Sequence, residues 1–171
     1  MGGTTLDGLT TLAVAARETS TIRLGTAIIP LYSRHPLVVV QQVQAVARLA
    51  RGRLRVGIGP SHRALMESQG VKYGSPLNHL REYLIILKTI LSTGKVDFEG
   101  EYYKATETIS QPLEVPIMAS ALRRKSFELC GELTDGAIPT LCPASYLKST
   151  ALPALTAGAI KVGRTPPPII A

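Results

Sequence analysis

The feature that most constrains this chain is the alternation of short apolar, β-branched runs with longer amphipathic segments. Residues 22–29 form such a run, which Pro30 ends. The next segment starts at Pro36, has apolar residues three and four apart, and stops at Gly52, as a capped helix does. A second short run, residues 53–58, follows directly. Strand, helix and strand in this order predict parallel strands with right-handed crossovers, and therefore an α/β fold.

The alternation extends over the rest of the chain. Asp7 is positioned to cap a helix before the first strand, and the clearest helix begins at Ser75-Pro76, with leucines at helical spacing until Gly94. A small hairpin insertion is predicted near residues 96–104, around Glu99-Gly100. Periodicity does not distinguish an open sheet from a closed barrel, but in both folds ligands bind beyond the carboxyl ends of the strands.

The last third of the chain predicts two further strands and their helices. The final helix is expected to be poor, because Pro153 and Gly158 interrupt its pattern. After it, a new strand begins where the sequence ends. The predicted segments are a strand at 115–120, a helix at 123–133, a strand at 135–140, a helix at 146–160 and a strand start at 169–171.

Composition excludes several classes of protein. Aromatic residues make up only 5% of the 171 and Trp is absent, which suits strands covered by helices better than an antiparallel sandwich. No apolar run reaches the roughly 18 residues of a membrane helix, and no signal peptide opens the sequence, so we expect a cytoplasmic protein without a membrane partner. Cys130 and Cys142 form no CxxC pair, so we expect two buried free thiols and no zinc site.

The net charge of +7 is compatible with binding to nucleic acid or to an anionic small molecule. The basic residues are scattered, however, with small groups at 51–55 and 123–125, and no RNA-binding or helix-turn-helix signature accompanies them. A solvated surface explains most of this charge. We therefore expect a small-molecule partner and no nucleic acid.

The segment 57–62, Gly-Ile-Gly-Pro-Ser-His, invites comparison with a dinucleotide-binding fingerprint. His62 replaces its third glycine and Pro60 stiffens the turn, so a standard Rossmann site is not predicted. The two glycines allow close backbone approach to a ligand, but a tight turn alone also explains them. His35 is predicted to cap or pack in preference to acting as an acid, and His79 to lie on the surface. Neither a metal site nor a catalytic residue is predicted.

Several motifs occur in a fixed order along the chain. The first series is 22–30, 34–37 with Gln41-Gln42, 52–54 and 57–59. The second is 59–63, 80–84, 98–101 and 131–136. Together the first series resembles the luciferase-like monooxygenase superfamily, and the second is similar to its deazaflavin-dependent oxidoreductase branch. The likeness covers nearly the whole chain, and the order of the motifs is more specific than any one of them.

This resemblance implies a (β/α)8 TIM barrel that binds coenzyme F420, or alternatively FMN, at the carboxyl ends of its strands. The implied chemistry is hydride transfer between coenzyme F420 and an unknown small organic substrate, or oxygen activation by reduced FMN. A bulge is expected behind the flavin-type ring, at a place where the superfamily often has a non-proline cis peptide bond. By resemblance the cofactor-binding residues are Thr26, Ala27 and Ile28 at the bulge, Gly59, Pro60, Ser61 and His62 toward the phosphate tail, Ala119, Ser120 and Ala121 at the next strand end, and also Gly57.

The chain departs from the family pattern in length. A full barrel takes about 250 residues, whereas residues 1–171 match roughly strands three to seven and are predicted to form a single incomplete barrel domain. Activity would then depend on completion by another chain or a homo-oligomer. The alternative is a catalytically inactive remnant that acts as an interaction or self-associating module through its open sheet edges.

Overall fold

The computed structural model describes residues 6–170. The helices are α1 Gly8–Glu18, α2 Pro36–Ala50, α3 Arg63–Ser68, α4 Pro76–Thr93, α5 Arg124–Leu133, α6 Ala144–Tyr146 and α7 Leu152–Lys161, with a 3-10 turn at Leu31–Ser33 and a π-helical turn at Leu147–Ala151. The strands are β1 Leu24–Gly25, β2 Ile29–Pro30, β3 Leu54–Gly59, β4 Lys95–Glu99, β5 Lys104–Thr108, β6 Ile117–Ala121 and β7 Ala137–Pro139.

The main sheet has the order β1-β3-β6-β7, and β2 pairs with β3 on the same side as β1. All of these pairings are parallel, and Ile169 adds a parallel bridge to Ala137 where the next strand begins. Neighbouring strands are joined through helices, as parallel strands require. This parallel half-barrel sheet confirms the predicted α/β fold.

The hydrophobic core lies between the sheet and its helices. Alternate residues of β3, Leu54, Val56 and Ile58, are buried in it, because successive side chains of a strand point to opposite faces. From α2, Val39 and Val43 are buried in the same core. The other face of the sheet is the one that a barrel encloses. It carries Gly57, Gly59 and Ser120 beside the larger side chain of Ile138.

Strands β4 and β5 form a separate antiparallel hairpin. The Glu82 carboxylate of α4 holds its turn by accepting hydrogen bonds from the backbone N–H groups of Glu101, Tyr102 and Tyr103, at 2.9, 2.9 and 3.0 Å. A Cβ at Gly100 would collide with the same carboxylate and with the Phe98 ring, so a side chain there would displace Glu82. One half-buried acid therefore attaches the hairpin to helix α4.

The last helix is interrupted only by a π-helical turn ahead of Pro153, and the predicted interruption at Gly158 is wrong. Residues Ala144–Lys161 are helical throughout, with the π-helical turn between α6 and α7. Pro153 is accommodated because the carbonyl that its ring would crowd, that of Ser149, belongs to this wider turn. Gly158 does not break α7. It lies against the Glu128 carbonyl of α5, where any Cβ would collide.

An ion network joins helices α4, α5 and α7 at the amino-terminal end of the strands. Glu132, whose side chain is only 8% exposed, accepts from Arg81 and from Lys161, each at 2.7 Å. Burial alone would raise the pKa of Glu132, but these two cations lower it below its ordinary value. Asp135 accepts from the backbone N–H of Ile117 at 2.8 Å and pairs with Lys88 at 2.7 Å. The network therefore clamps helices to strand β6.

We expect Glu132→Gln to lower the free energy of unfolding at pH 7 by about 1–2 kcal/mol, below the value for a fully buried pair because both partners are partly exposed. A depressed folded pKa contributes stability above the unfolded pKa and loses it as the pH falls through the folded pKa. The difference from wild type should therefore shrink below about pH 4.5. Denaturant unfolding at pH 7 and pH 4 measures both effects.

Glu128→Gln is the matched control for this prediction, because Glu128 lies one turn away and pairs with Arg124 on the exposed surface. It should cost less than about 0.5 kcal/mol. Equal losses in the two variants would contradict the structural role of Glu132.

Candidate functional site

The carboxyl end of the first strand contains a one-residue bulge. Gly25 pairs with Arg55 and Ile29 pairs with Ile58, so four steps along one strand oppose three along β3. Residues 26–28 are the bulged segment. The peptide bond between Ala27 and Ile28 is cis, at the position where the resemblance implies one. The apolar run 22–29 is therefore two short strands, β1 and β2, flanking a bulge, and not one continuous strand.

Thr26 fixes the bulge to the neighbouring strand. Its buried hydroxyl accepts from the backbone N–H of Gly57 at 2.9 Å and donates to the Gly57 carbonyl at 3.1 Å. A Cβ on Gly57 would collide with the Thr26 carbonyl oxygen and with Cδ1 of Ile138. Gly57 thus allows the bulge, and not a ligand, to approach β3 closely. It can contribute to a ligand site only through the position of the bulge.

Gly59 has the corresponding role two residues further along β3. A Cβ there would collide with Ser120 and approach Ile28 Cδ1 to 3.1 Å. Ile28, Gly59 and Ser120 therefore lie together on the inner face of the sheet, at the end of three neighbouring strands. The structure brings these three predicted site residues into one surface, with the exposed Ala27 beside them.

Ala119 and Ala121 face the other way. They alternate with Ser120 along β6 and are buried in the core against the helices. Cys130 of α5 donates a thiol hydrogen bond to the Ala119 carbonyl at 3.7 Å, and burial raises the pKa of this thiol to about 12. The two alanine side chains thus shape the strand end without reaching its inner surface.

Cys142, in contrast to the sequence prediction, is not buried but half-exposed.

The loop after β3 carries the remaining predicted residues. Pro60 and Ser61 are half-buried, and His62 is exposed before the start of α3. Ser61 has a φ of 59°, in the left-handed region that few non-glycine residues adopt. Its carbonyl accepts a hydrogen bond from the Tyr73 hydroxyl at 2.9 Å. The loop therefore has a defined conformation, with its polar groups near the strand ends.

An aromatic cluster beside this loop was not predicted. Its members come from four separate segments, and the hydroxyl of Tyr32 donates to the Tyr73 carbonyl. His79 belongs to the cluster, so the prediction that it lies on the surface is wrong. Its ring lies 3.6 Å from that of Tyr102, burial lowers its pKa, and its Nδ1 is buried without a hydrogen-bond partner. The cluster consists of Tyr32, Tyr73, His79, Tyr102 and Tyr103.

His35 caps a helix, as the sequence predicts. Its Nδ1 accepts from the backbone N–H of Leu37 at 3.3 Å, and its Nε2 lies 3.2 Å from the Lys104 carbonyl. Both ring nitrogens of His35 thus make contacts that stabilise the fold.

Within residues 6–170 no group of three or more His, Cys, Asp or Glu side chains could hold a metal ion. No helix in the described part of the chain is long and apolar enough to cross a bilayer.

Fold and site together define a class of protein, the parallel α/β barrels that bind ligands at the carboxyl ends of their strands. Within that class, the sequence profile described as "Luciferase-like monooxygenase" matches residues 1–170. The chain belongs to this family, as the resemblance implied.

Similar proteins support the same fold. The 5,10-methylenetetrahydromethanopterin reductase of Methanolobus tindarius is 30% identical over 164 residues, covering 94% of this chain and 49% of the reductase. The structure of the coenzyme F420 dependent tetrahydromethanopterin reductase from Methanopyrus kandleri superposes with a TM-score of 0.81 at 24% identity, covering 92% of this chain and 51% of the other.

A second similar structure is an F420-dependent secondary alcohol dehydrogenase in complex with an F420-acetone adduct. It has a TM-score of 0.83 at 22% identity and covers 92% of this chain and 50% of the other. The chain thus spans about half the length of the relatives that it matches.

Proposed function

We propose that this chain forms the cofactor-binding part of an oxidoreductase that transfers hydride between coenzyme F420 and a small organic substrate. The observation that carries the proposal is the surface at the strand ends, where the bulge leaves Ala27 exposed beside Ile28 and Ser120. Small uncharged side chains and accessible backbone suit a flat heteroaromatic ring. Similar structures include two named as F420-dependent enzymes and one in complex with FMN, so FMN is kept as the alternative cofactor.

The loop 60–62 would hold the phosphate tail of the coenzyme. Ser61 and His62 offer hydrogen-bond donors there, and the net charge of +7 favours an anionic ligand. When bound, the deazaflavin supplies the site that accepts or gives up hydride. The chain's own residues bind the coenzyme, orient it against the bulge and shield it from water. We assign no proton-transferring residue, because His35 and His79 are both engaged in packing.

A complete cofactor and substrate pocket would require strands beyond those of this sheet. Among residues 6–170, no strand pairs with the outer edge of β1, and an unpaired edge invites another strand. We propose that additional strands complete the barrel, from the same protein or from a partner. The same open edge favours the second candidate function, a self-associating module that performs no chemistry.

A titration of the purified chain with oxidised coenzyme F420 and, separately, FMN tests the proposal. We expect saturable quenching of F420 fluorescence with a dissociation constant in the micromolar range, typical of a partly enclosed site. Light scattering on the same samples gives the oligomeric state. Saturable binding of FMN alone would move the assignment to the flavin branch. Binding of neither cofactor by a folded, self-associated chain would overturn the proposal in favour of the interaction module.

A further inference from the structure

One tyrosine contacts two different parts of the loop after β3. Tyr73 is buried, and its hydroxyl donates to the Ser61 carbonyl at 2.9 Å. The guanidinium carbon of Arg63 lies 4.7 Å from the centroid of the same ring. One side chain therefore touches the residues before and after His62, the exposed end of the proposed tail-binding loop.

The hydroxyl contact defines the backbone of the loop. Ser61 is in the left-handed region, so its carbonyl points in a direction that an ordinary loop residue would not favour. The hydrogen bond from Tyr73 holds that carbonyl in place. Burial raises the pKa of Tyr73, so its hydroxyl is protonated and donates at neutral pH.

The contact with the Tyr73 ring restricts the position of the Arg63 guanidinium. An arginine over an aromatic face keeps its N–H groups free at its edge, and a guanidinium binds phosphate through two parallel hydrogen bonds. Arg63 has an ion-pair partner, Glu67 at 3.0 Å, but its side chain is still 59% exposed. It thus has donors available on the loop where an anion is proposed to bind.

The ring of Tyr73 is supported by the other rings of the aromatic cluster. The ring of Tyr32 lies 4.8 Å from that of Tyr73, and the His79 ring lies 4.7 Å from Tyr32 and 3.6 Å from Tyr102, tilted to both. Glu82 fixes the backbone of Tyr102. The aromatic cluster therefore supports Tyr73 against helix α4 and the hairpin.

We infer that Tyr73 is a positioning residue for phosphate recognition, because its hydroxyl fixes Ser61 while its ring directs the Arg63 guanidinium toward the phosphate of the coenzyme. This inference rests on the proposed function. Nothing in it requires the tyrosine to touch the ligand. Its effect should depend on the phosphate and not on the ring of the cofactor.

The test compares ligand pairs that differ in the phosphorylated tail, namely FMN with riboflavin, and coenzyme F420 with the deazariboflavin that lacks its tail. We expect Tyr73→Phe to weaken binding of the phosphorylated member about fivefold, as for one lost hydrogen bond. Arg63→Gln should weaken it about tenfold or more, as for a charged bond. Binding of the unphosphorylated members should stay within about twofold of wild type.

Tyr83→Phe is the matched control, because the Tyr83 hydroxyl is buried without a hydrogen-bond partner, and the substitution keeps the ring that contacts Tyr103 of the cluster. It should leave both ligand pairs unchanged. Amide hydrogen exchange of the ligand-free protein gives a second readout, in which residues 61–64 should exchange faster in Tyr73→Phe than in wild type or Tyr83→Phe.

Equal losses for phosphorylated and unphosphorylated ligands, or no loss at all, would overturn the inference while leaving the proposed function intact. Unchanged exchange at residues 61–64 would overturn the role of the hydroxyl. A wild-type chain that binds none of the four ligands would overturn the proposed function and this inference with it.

Discussion

Replacing Gly158 by alanine should destabilise the protein, although alanine is the better helix former. Helices α5 and α7 cross at two glycines, where a Cβ on Gly158 would collide with the Glu128 carbonyl and a Cβ on Gly131 with the Leu155 carbonyl. Forcing these backbones apart should cost about 3 kcal/mol or more, as overpacking does, against about 1 kcal/mol gained in helix propensity. We expect a net loss of about 2 kcal/mol, and a melting temperature about 4–8 °C lower for a chain of this size.

Ala157→Gly calibrates this prediction, because Ala157 is the exposed neighbour on the same helix. Propensity alone predicts that Ala157→Gly loses about 1 kcal/mol and that Gly158→Ala gains as much. The structure predicts that both variants lose stability, and that Gly158→Ala loses more. Thermal unfolding of the three proteins decides between these patterns. A Gly158→Ala variant as stable as wild type would show that the two helices cross at a greater distance.

The same glycine shows what sequence patterns reveal and what they miss. Periodicity predicted the order of strands and helices because it reflects which face of each element is buried. It treated Gly158 as a helix breaker, since the carbonyl of Glu128 that makes a glycine necessary belongs to another helix. The contact is specified only by the tertiary packing. A local pattern cannot report it.

The residues of the candidate site also fall into two groups, those that sequence motifs identify and those that only the folded structure reveals. The resemblance identified the bulge segment 26–28 and the glycines beside it, because short motifs preserve backbone geometry. It did not identify Tyr73 or His79, which come from segments distant from the motif in sequence and meet only in the folded chain. It also grouped Ala119 and Ala121 with Ser120. Only the strand register shows that the two alanines point into the core.

Replacing Gly57 by alanine should disrupt both the sheet and the proposed cofactor site. The added Cβ would collide with the Thr26 carbonyl and Ile138, so the bulge must move away from β3. The two hydrogen bonds of the Thr26 hydroxyl would be lost with it. We expect about 2 kcal/mol of destabilisation and a fall of at least about tenfold in F420 affinity, equivalent to 1.4 kcal/mol.

Gly25→Ala provides the matched control, because Gly25 lies on the same strand pair but has room for a Cβ, with the Arg55 carbonyl at 3.5 Å. It should change stability by less than about 1 kcal/mol and leave affinity unchanged. Thr26→Val tests the bulge without overpacking it, since it keeps the shape and leaves the buried Gly57 N–H unsatisfied at a cost of about 1–3 kcal/mol. Denaturant unfolding and F420 titration of the three variants measure both effects. If Gly57→Ala and Thr26→Val bind F420 as tightly as Gly25→Ala, the bulge does not form the cofactor surface, and the site must be sought elsewhere on the barrel.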